Sequence, residues 1–213
     1  MGKEAVVFRA TRNPRKLKKG EAPYVAVKIY KIETTSFLNM YDYLVGDRRF
    51  SKVKKNRFDI IMAWAKKEYA NLSLAHRAGV RCPKPIACMR NAVVMEFIGR
   101  EGEMYPTLQN NGPVDAESDF AAIVKYMKLM YGAGIVHADL SPYNIIITED
   151  GPVVIDMSQA VVLTHPKANE FLRRDIYNIV KYFRKFGVRK EEGEVYSFVT
   201  DSKRSRKTGN KTR

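Results

Sequence analysis

Between His137 and Asp156 the chain reads HADLSPYNIIITEDGPVVID. Asp139 and Asn144 stand five residues apart on a loop leading into an apolar strand, and Asp156 ends the strand that follows. A β-turn at Asp150 and Gly151 would fold the two strands together and bring the three side chains to one spot. Two carboxylates and an amide oxygen are hard ligands, suited to a magnesium ion, or manganese in its place, held partly by the phosphates of a nucleotide. The spacing is that of a kinase catalytic loop: Asp139 would receive the acceptor proton, while Asn144 and Asp156 would hold metal. Each residue alone is a common turn residue. That reading does not account for all three together, after His137 and beside apolar strands.

A second element is Val25-Ala26-Val27-Lys28, matching the kinase strand motif whose lysine contacts ATP phosphates. Alternation on a strand puts Lys28 on the face opposite Val27. Glu68 is its candidate partner, because it lies on the following helix between the apolar positions Ala65 and Tyr69. A surface Glu in an i, i+4 arrangement is the competing reading. Met95 to Gly99 (MEFIG) stands where a hinge would run, with Glu96 and Ile98 placed to offer backbone hydrogen bonds to a nucleobase between apolar walls.

These residues need elements to position them. Glu4 to Ala10 and Tyr24 to Tyr30 are rich in β-branched and aromatic residues, and the polar stretch with Asn13, Pro14 and Gly20 separates them, which predicts an antiparallel pair. From Arg57 the period changes: Phe58, Ile61, Ala65, Tyr69 and Leu72 fall three or four apart until Gly79, the pattern of a long one-sided helix. Lys84 to Met89 and Ala92 to Ile98 read as strands joined at Arg90 and Asn91. After Gly99 the character is mainly helical. Asp115 caps one helix that ends at Gly132 to Gly134, Pro166 opens another that stops at Gly187, and a short helix spans roughly Glu191 to Asp201. The expected class is α+β, with a nucleotide-binding part over residues 1–98, a catalytic part over 99–201 and a basic tail over 202–213.

The 213 residues carry a net charge of +15, which favours a polyanionic partner, nucleic acid first. The charge is clustered: Arg9 to Lys19, Arg48 to Arg57 and Ser202 to Arg213 hold six basic residues each. Solvated loops would explain any one cluster; the three together favour a partner. No apolar run approaches the roughly 18 residues needed to cross a bilayer, and the start lacks a charged block followed by an apolar one, so a soluble cytoplasmic protein without a membrane partner is expected. Cys82 and Cys88 are too few for a disulfide framework or a zinc site.

Together the motifs resemble the RIO family of atypical serine protein kinases, most of all its first, archaeal-type subfamily. Gly2-Lys3-Glu4-Ala5 resembles the end of the family's phosphate-binding loop, VAVKIYK its lysine strand, HADLSPYN its catalytic loop and IDMSQAV its metal-binding loop; HPKANEFLRRDIYNI resembles the family signature that follows. The resemblance implies a two-lobed kinase-like fold, ATP and magnesium as cofactors, phosphate contacts at Lys3 and Lys28, catalysis at Asp139, metal at Asn144 and Asp156, and a phosphorylated Asp156 during turnover. It also implies serine autophosphorylation and work on the maturing small ribosomal subunit and its RNA.

Three departures from ordinary protein kinases stand out. Ser141 occupies a place usually held by Lys, and Met-Ser follows Asp156 in place of Phe-Gly. Only about ten residues separate Asp156 from Pro166, too few for the usual activation segment. The insertion from Glu33 to Asn56 is, by the resemblance, a flexible loop near the nucleotide. The chain opens inside the phosphate-binding motif, so weakened phosphate binding is expected. Two other readings stay open here: a small-molecule phosphotransferase of the aminoglycoside or choline kinase kind, and an RNA-binding scaffold without turnover.

Overall fold

A computed structural model describes residues 4–19, 21–33 and 37–201. The first half builds a four-stranded antiparallel sheet in the order β1-β2-β4-β3, from β1 (Ala5–Thr11), β2 (Tyr24–Tyr30), β3 (Pro85–Met89) and β4 (Ala92–Glu96). Val25, Lys28 and Tyr30 are buried on β2, whereas Ile29 is exposed. β2 is flanked on both sides, Lys28 lying opposite Val7 of β1 and Val93 of β4. The turn from β3 to β4 places Arg90 at φ 53, in agreement with a tight reversal at Arg90 and Asn91.

Between β2 and β3 come two helices, α1 (Phe37–Val45) and α2 (Arg57–Arg77). Asn56 caps α2 by accepting from the Asp59 amide, and Gly79 ends the run at φ 84, a conformation that costs a residue with a Cβ. The expected one-sided helix is corrected. Ile60, Ile61, Ala63, Trp64, Lys67, Glu68, Asn71 and Leu72 are buried around much of its circumference, and Phe58, expected on the apolar face, is 52% exposed. The reason is that α2 packs on the sheet on one side while α1 and the segment after Asp156 close over the other.

The insertion is the larger correction. Its described part is not a loose loop: α1 buries Met40 and Leu44, and Asp47 beyond it is fully buried against Arg49. Several basic residues of the Arg48 to Arg57 cluster lie over rings, Arg49 on Phe50, Lys55 on Tyr41 and Arg57 on Phe37, so part of that charge serves packing.

The second half continues through a short hairpin, β5 (Gly99–Arg100) and β6 (Glu103–Met104), then α3 (Leu108–Asn111) and α4 (Ala116–Gly132). Asp115 caps α4 by accepting from the Ser118 amide. β7 (Ile135–Val136) pairs with β10 (Val161–Val162), and β8 (Ile145–Thr148) with β9 (Gly151–Val154), the latter through the turn at Glu149 and Asp150. α5 (Ala168–Arg184) buries Phe171, Ile176, Ile179, Val180 and Phe183, and α6 (Glu192–Thr200) closes the described chain. Among the described residues no helix is long and apolar enough to cross a membrane.

The burial of α1 generates a test. Leu44→Ala should lower unfolding free energy by about 2–5 kcal/mol in chemical denaturation, as for a packed leucine. A loss below about 0.5 kcal/mol, the scale of a surface change, would show that α1 is not part of the core.

Candidate active site

Strand periodicity puts Ala26, Lys28 and Tyr30 on one face of β2, turned toward α2 and the second half of the chain. There the Lys28 ammonium donates to Glu68 Oε1 at 2.8 Å and to Asp156 Oδ1 at 2.7 Å. The Tyr30 hydroxyl donates to the other Glu68 oxygen at 2.5 Å. Burial disfavours the charge on Lys28, but Asp156 and Glu68 outweigh it and hold the ammonium well above its ordinary pKa. Burial pushes Glu68 up, and the Lys28 charge opposes it. At Asp156 desolvation also pushes up, yet Lys28 and the Ser158 hydroxyl at 2.6 Å win and keep the carboxyl well below the usual carboxylate range.

The catalytic-loop segment is held from below. Asp175 on α5 accepts from the Ala138 amide at 2.8 Å and the Leu140 amide at 2.9 Å, while Asn178 donates to the Leu140 carbonyl at 3.1 Å. Burial raises Asp175 to about 8, and the two amides pull the other way. These bonds fix Ala138 at φ 64 directly before Asp139. His137 is buried with Nε2 at 3.1 Å from the Ile155 carbonyl; since a carbonyl only accepts, Nε2 carries the proton. Burial lowers its pKa and keeps the ring neutral.

Asn144 ends a 3-10 turn at Pro142–Asn144, and its amide nitrogen donates to the Asp139 carbonyl at 2.8 Å and to Asp139 Oδ2 at 3.1 Å. The hard Oδ1 end of that amide is the end left for a cation. Asp139 is pushed up by burial and by the negative charge of Asp156, which makes it the better proton acceptor of the two carboxylates. Among the described residues no group of three or more His, Cys, Asp or Glu could hold a metal unaided. The Asn144 amide oxygen and the Asp156 carboxylate are hard donors of the kind that would suit a magnesium ion completed by phosphate oxygens.

A cavity of about 720 Å³ joins these parts, lined by Lys28, Glu68, Asn144 and Asp156 at one end and by Met95 to Ile98 at the other. Ala26 and Ile146 contribute apolar walls. Two of the four backbone groups of Glu96 and Ile98 are spent, the Glu96 amide on the Lys84 carbonyl at 2.9 Å and the Ile98 carbonyl on the Tyr105 amide at 3.3 Å. Asp139 is hydrogen-bonded to a lining residue of this cavity, Asn144, and to one of a second cavity of about 420 Å³, Gln159, which donates to Asp139 Oδ2 at 3.4 Å and lines that cavity with Glu4, Tyr43 and Arg174.

The structure thus brings together Lys28, Glu68, Asn144 and Asp156, with Asp139 beside them and Glu96 and Ile98 at the far wall. Lys3 lies outside the described residues. The surface reading of Glu68 is wrong, since the residue is 1% exposed. Asp156 lies two residues beyond the end of β9, not on the strand, at φ 59. Sequence reasoning missed Tyr30, Lys67, Asn71 and Asp175. Tyr30 was within reach, standing two residues from Lys28 on the same face; the other three are polar residues in helical apolar patterns, and only the folded partners give them a purpose. Cys82 is buried, which pushes its thiol up to about 12, and Cys88 is half-buried.

Residues 6–195 match the sequence profile of the RIO domain. The chain belongs to the RIO family. A RIO-type serine/threonine-protein kinase Rio1 of Haloferax volcanii is 43% identical over 199 residues, 93% of this chain and 66% of that protein. Its counterpart in Thermoplasma acidophilum is 38% identical over 197 residues, 91% of this chain and 98% of that protein. The crystal structure of the Rio2 kinase ADP/Mg2+-phosphoaspartate complex from Chaetomium thermophilum matches with a TM-score of 0.64 at 20% identity, covering 95% of this chain and 60% of that one. The RIO kinase fold, α+β and two-lobed, is therefore the fold of this chain. In it the usual activation segment is replaced by Met157 to Lys167, which run directly into α5.

Proposed function

We propose that the chain is a RIO-type serine/threonine-protein kinase that transfers the γ-phosphate of ATP with magnesium. The observation that carries this is the meeting of Lys28, Glu68, Asn144 and Asp156 at one end of a cavity whose other end is the Met95 to Ile98 backbone. The purine edge is assigned to the Glu96 carbonyl and the Ile98 amide, the two groups that the strand and Tyr105 leave open. Lys28 is fixed as a cation by its two carboxylates and neutralises phosphate charge. Magnesium, bound by Asn144 and Asp156, would supply further neutralisation of the phosphates. Asp139, with its raised pKa and its link through Gln159 to the second cavity, takes the proton of an acceptor hydroxyl entering from that side.

A first acceptor within the site is also favoured, because the short run from Met157 to Lys167 leaves little sequence for a peptide-docking platform. A carboxylate oxygen of Asp156 attacks the γ-phosphorus, the bond from that phosphorus to the bridging oxygen breaks and ADP leaves; water then cleaves the acyl phosphate, restoring the carboxylate and releasing phosphate. The Rio2 structure of Chaetomium thermophilum carries a phosphoaspartate, which supports this reading for its relative.

The partner is proposed to be RNA of the maturing small ribosomal subunit, on the strength of the basic charge. Of the three clusters, the one at 202–213 lies outside the described residues, and Arg12, Arg15, Lys16, Lys18 and Lys19 of the first are exposed or partly exposed. The cytoplasm is the proposed location.

Two measurements follow. Asp139→Asn should reduce transfer at least about 100-fold with nucleotide affinity kept, whereas Asp156→Asn should abolish the magnesium-dependent part of ADP binding. Equal losses of affinity in both would remove the division of roles. In the wild-type chain, hydroxylamine-sensitive label at Asp156 is expected during turnover; serine label alone, with none at Asp156, would restore direct transfer. For RNA, the log of affinity should fall with log salt at a slope of roughly −4 if about six phosphates of a single strand are neutralised. A salt-independent affinity would argue against the basic clusters as the contact.

A further inference from the structure

We propose that Lys67 and Asn71 are positioning residues that hold Met157 to Ala160 and thereby keep Asp156 in the nucleotide cavity. The inference rests on the kinase reading for what Asp156 does, and on this structure for how it is held.

Trp64, Lys67, Glu68 and Asn71 fall at i, i+3, i+4 and i+7, so they form one stripe of α2. Glu68 in that stripe reaches Lys28. Its neighbours reach the other way: Lys67 Nζ donates to the Ser158 carbonyl at 2.8 Å and the Ala160 carbonyl at 2.6 Å. Asn71 Nδ2 donates to the Met157 carbonyl at 3.1 Å and the Ala160 carbonyl at 2.8 Å. Four bonds from two side chains therefore bind the backbone directly after Asp156. A methionine would fill the same space without the cost of taking an amine out of water. Lys67 is fully buried and placed 4.8 Å over the Trp64 ring, burial lowers its pKa to about 7, and its N–H donors are spent on the carbonyls of this segment.

Asp156 needs such an anchor. Its φ of 59 is a left-handed conformation that a non-glycine residue rarely adopts, and it persists only where the surroundings over-determine it. Its own side chain is fixed through Oδ1 by Lys28, the Ser158 amide and the Ser158 hydroxyl. The residues that follow are fixed by α2. Asn71 is itself oriented by Arg49, whose Nη2 donates to Asn71 Oδ1 at 2.7 Å and is paired with the buried Asp47 at 2.6 Å. The insertion, α2 and the metal-binding segment are thereby one connected network, and one helix sets both partners of the Lys28–Asp156 pair.

The test uses the full chain with Lys67→Met, which keeps the stem and removes the ammonium, and Asn71→Asp, which keeps the shape and removes the amide donor. Hydrogen exchange of 157–160 in the nucleotide-free proteins should quicken about tenfold or more while α4 and α5 keep their protection. ADP affinity without magnesium should stay within about twofold, and the gain in affinity on adding magnesium should fall about 10- to 100-fold, as for other groups that orient a metal ligand. Trp64 is the chain's single tryptophan, so its emission should shift in Lys67→Met. Unchanged exchange at 157–160 would overturn the proposal. So would faster exchange throughout the chain with both affinities falling together, since that marks Lys67 as a core residue only. If Lys67→Met does not fold, Asn71→Asp carries the same readouts. Exchange needs no turnover, so a wild-type chain that binds nucleotide but neither transfers its phosphate nor hydrolyses it would overturn the kinase reading and leave this one decided by exchange.

Discussion

One ammonium between two carboxylates organises the molecule. Lys28 comes from the middle of the sheet, Glu68 from a helix laid against it and Asp156 from the far half of the chain, and the two bonds measure 2.8 and 2.7 Å. In a buried setting each charge is tolerable only because the others are there: removing one partner of such a group leaves an uncompensated charge at a cost of about 3–5 kcal/mol. The arrangement is also incomplete by design. Two acids and one base leave a negative surplus at the mouth of the cavity, which suits a divalent cation bridging to phosphate.

From that junction the rest of the site follows. The sheet supplies Lys28 and, through the exit from β4, the backbone of Glu96 and Ile98; α5 supplies Asp175, which holds the loop carrying Asp139. The long helix α2 stands between the two and carries Lys67, Glu68 and Asn71 on one stripe. Two residues near the chemistry, Ala138 and Asp156, have positive φ, and each is followed by backbone groups tied to a buried polar side chain. Local strain is thus matched by tethers from different elements, as expected of a site that must be ready before its ligand arrives.

Much of this was legible in the sequence because it is local. Strand alternation placed Lys28, helical spacing placed Glu68 and the short catalytic segment placed Asp139, Asn144 and Asp156; the paired strands and caps at Asp115 and Gly79 obey rules that act within a few residues. What escaped is non-local. The carboxyl of Asp175 sits in the apolar stripe of α5 and its purpose depends on amides about 35 residues earlier in the chain. Lys67 has no local signal either, because its partners are carbonyls of the chain after Asp156 that returns to cover it. The insertion read as a loop by resemblance, although Met40 and Leu44 stand four apart, the one local hint that it could pack.

The central claim is that Lys28 serves two carboxylates at once, the buried Glu68 and the partly exposed Asp156, and a double-mutant cycle of Lys28→Met and Glu68→Met by chemical denaturation tests its buried half most directly. Lys28→Met should lose about 3–5 kcal/mol by stranding the buried Glu68, Glu68→Met should lose less because Asp156 still pairs with Lys28, and the double variant should lose less than the sum of the two by more than about 1.5 kcal/mol. Additive losses, within about 0.5 kcal/mol of the sum, would contradict the account, because they would mean that the two side chains contribute to the fold independently.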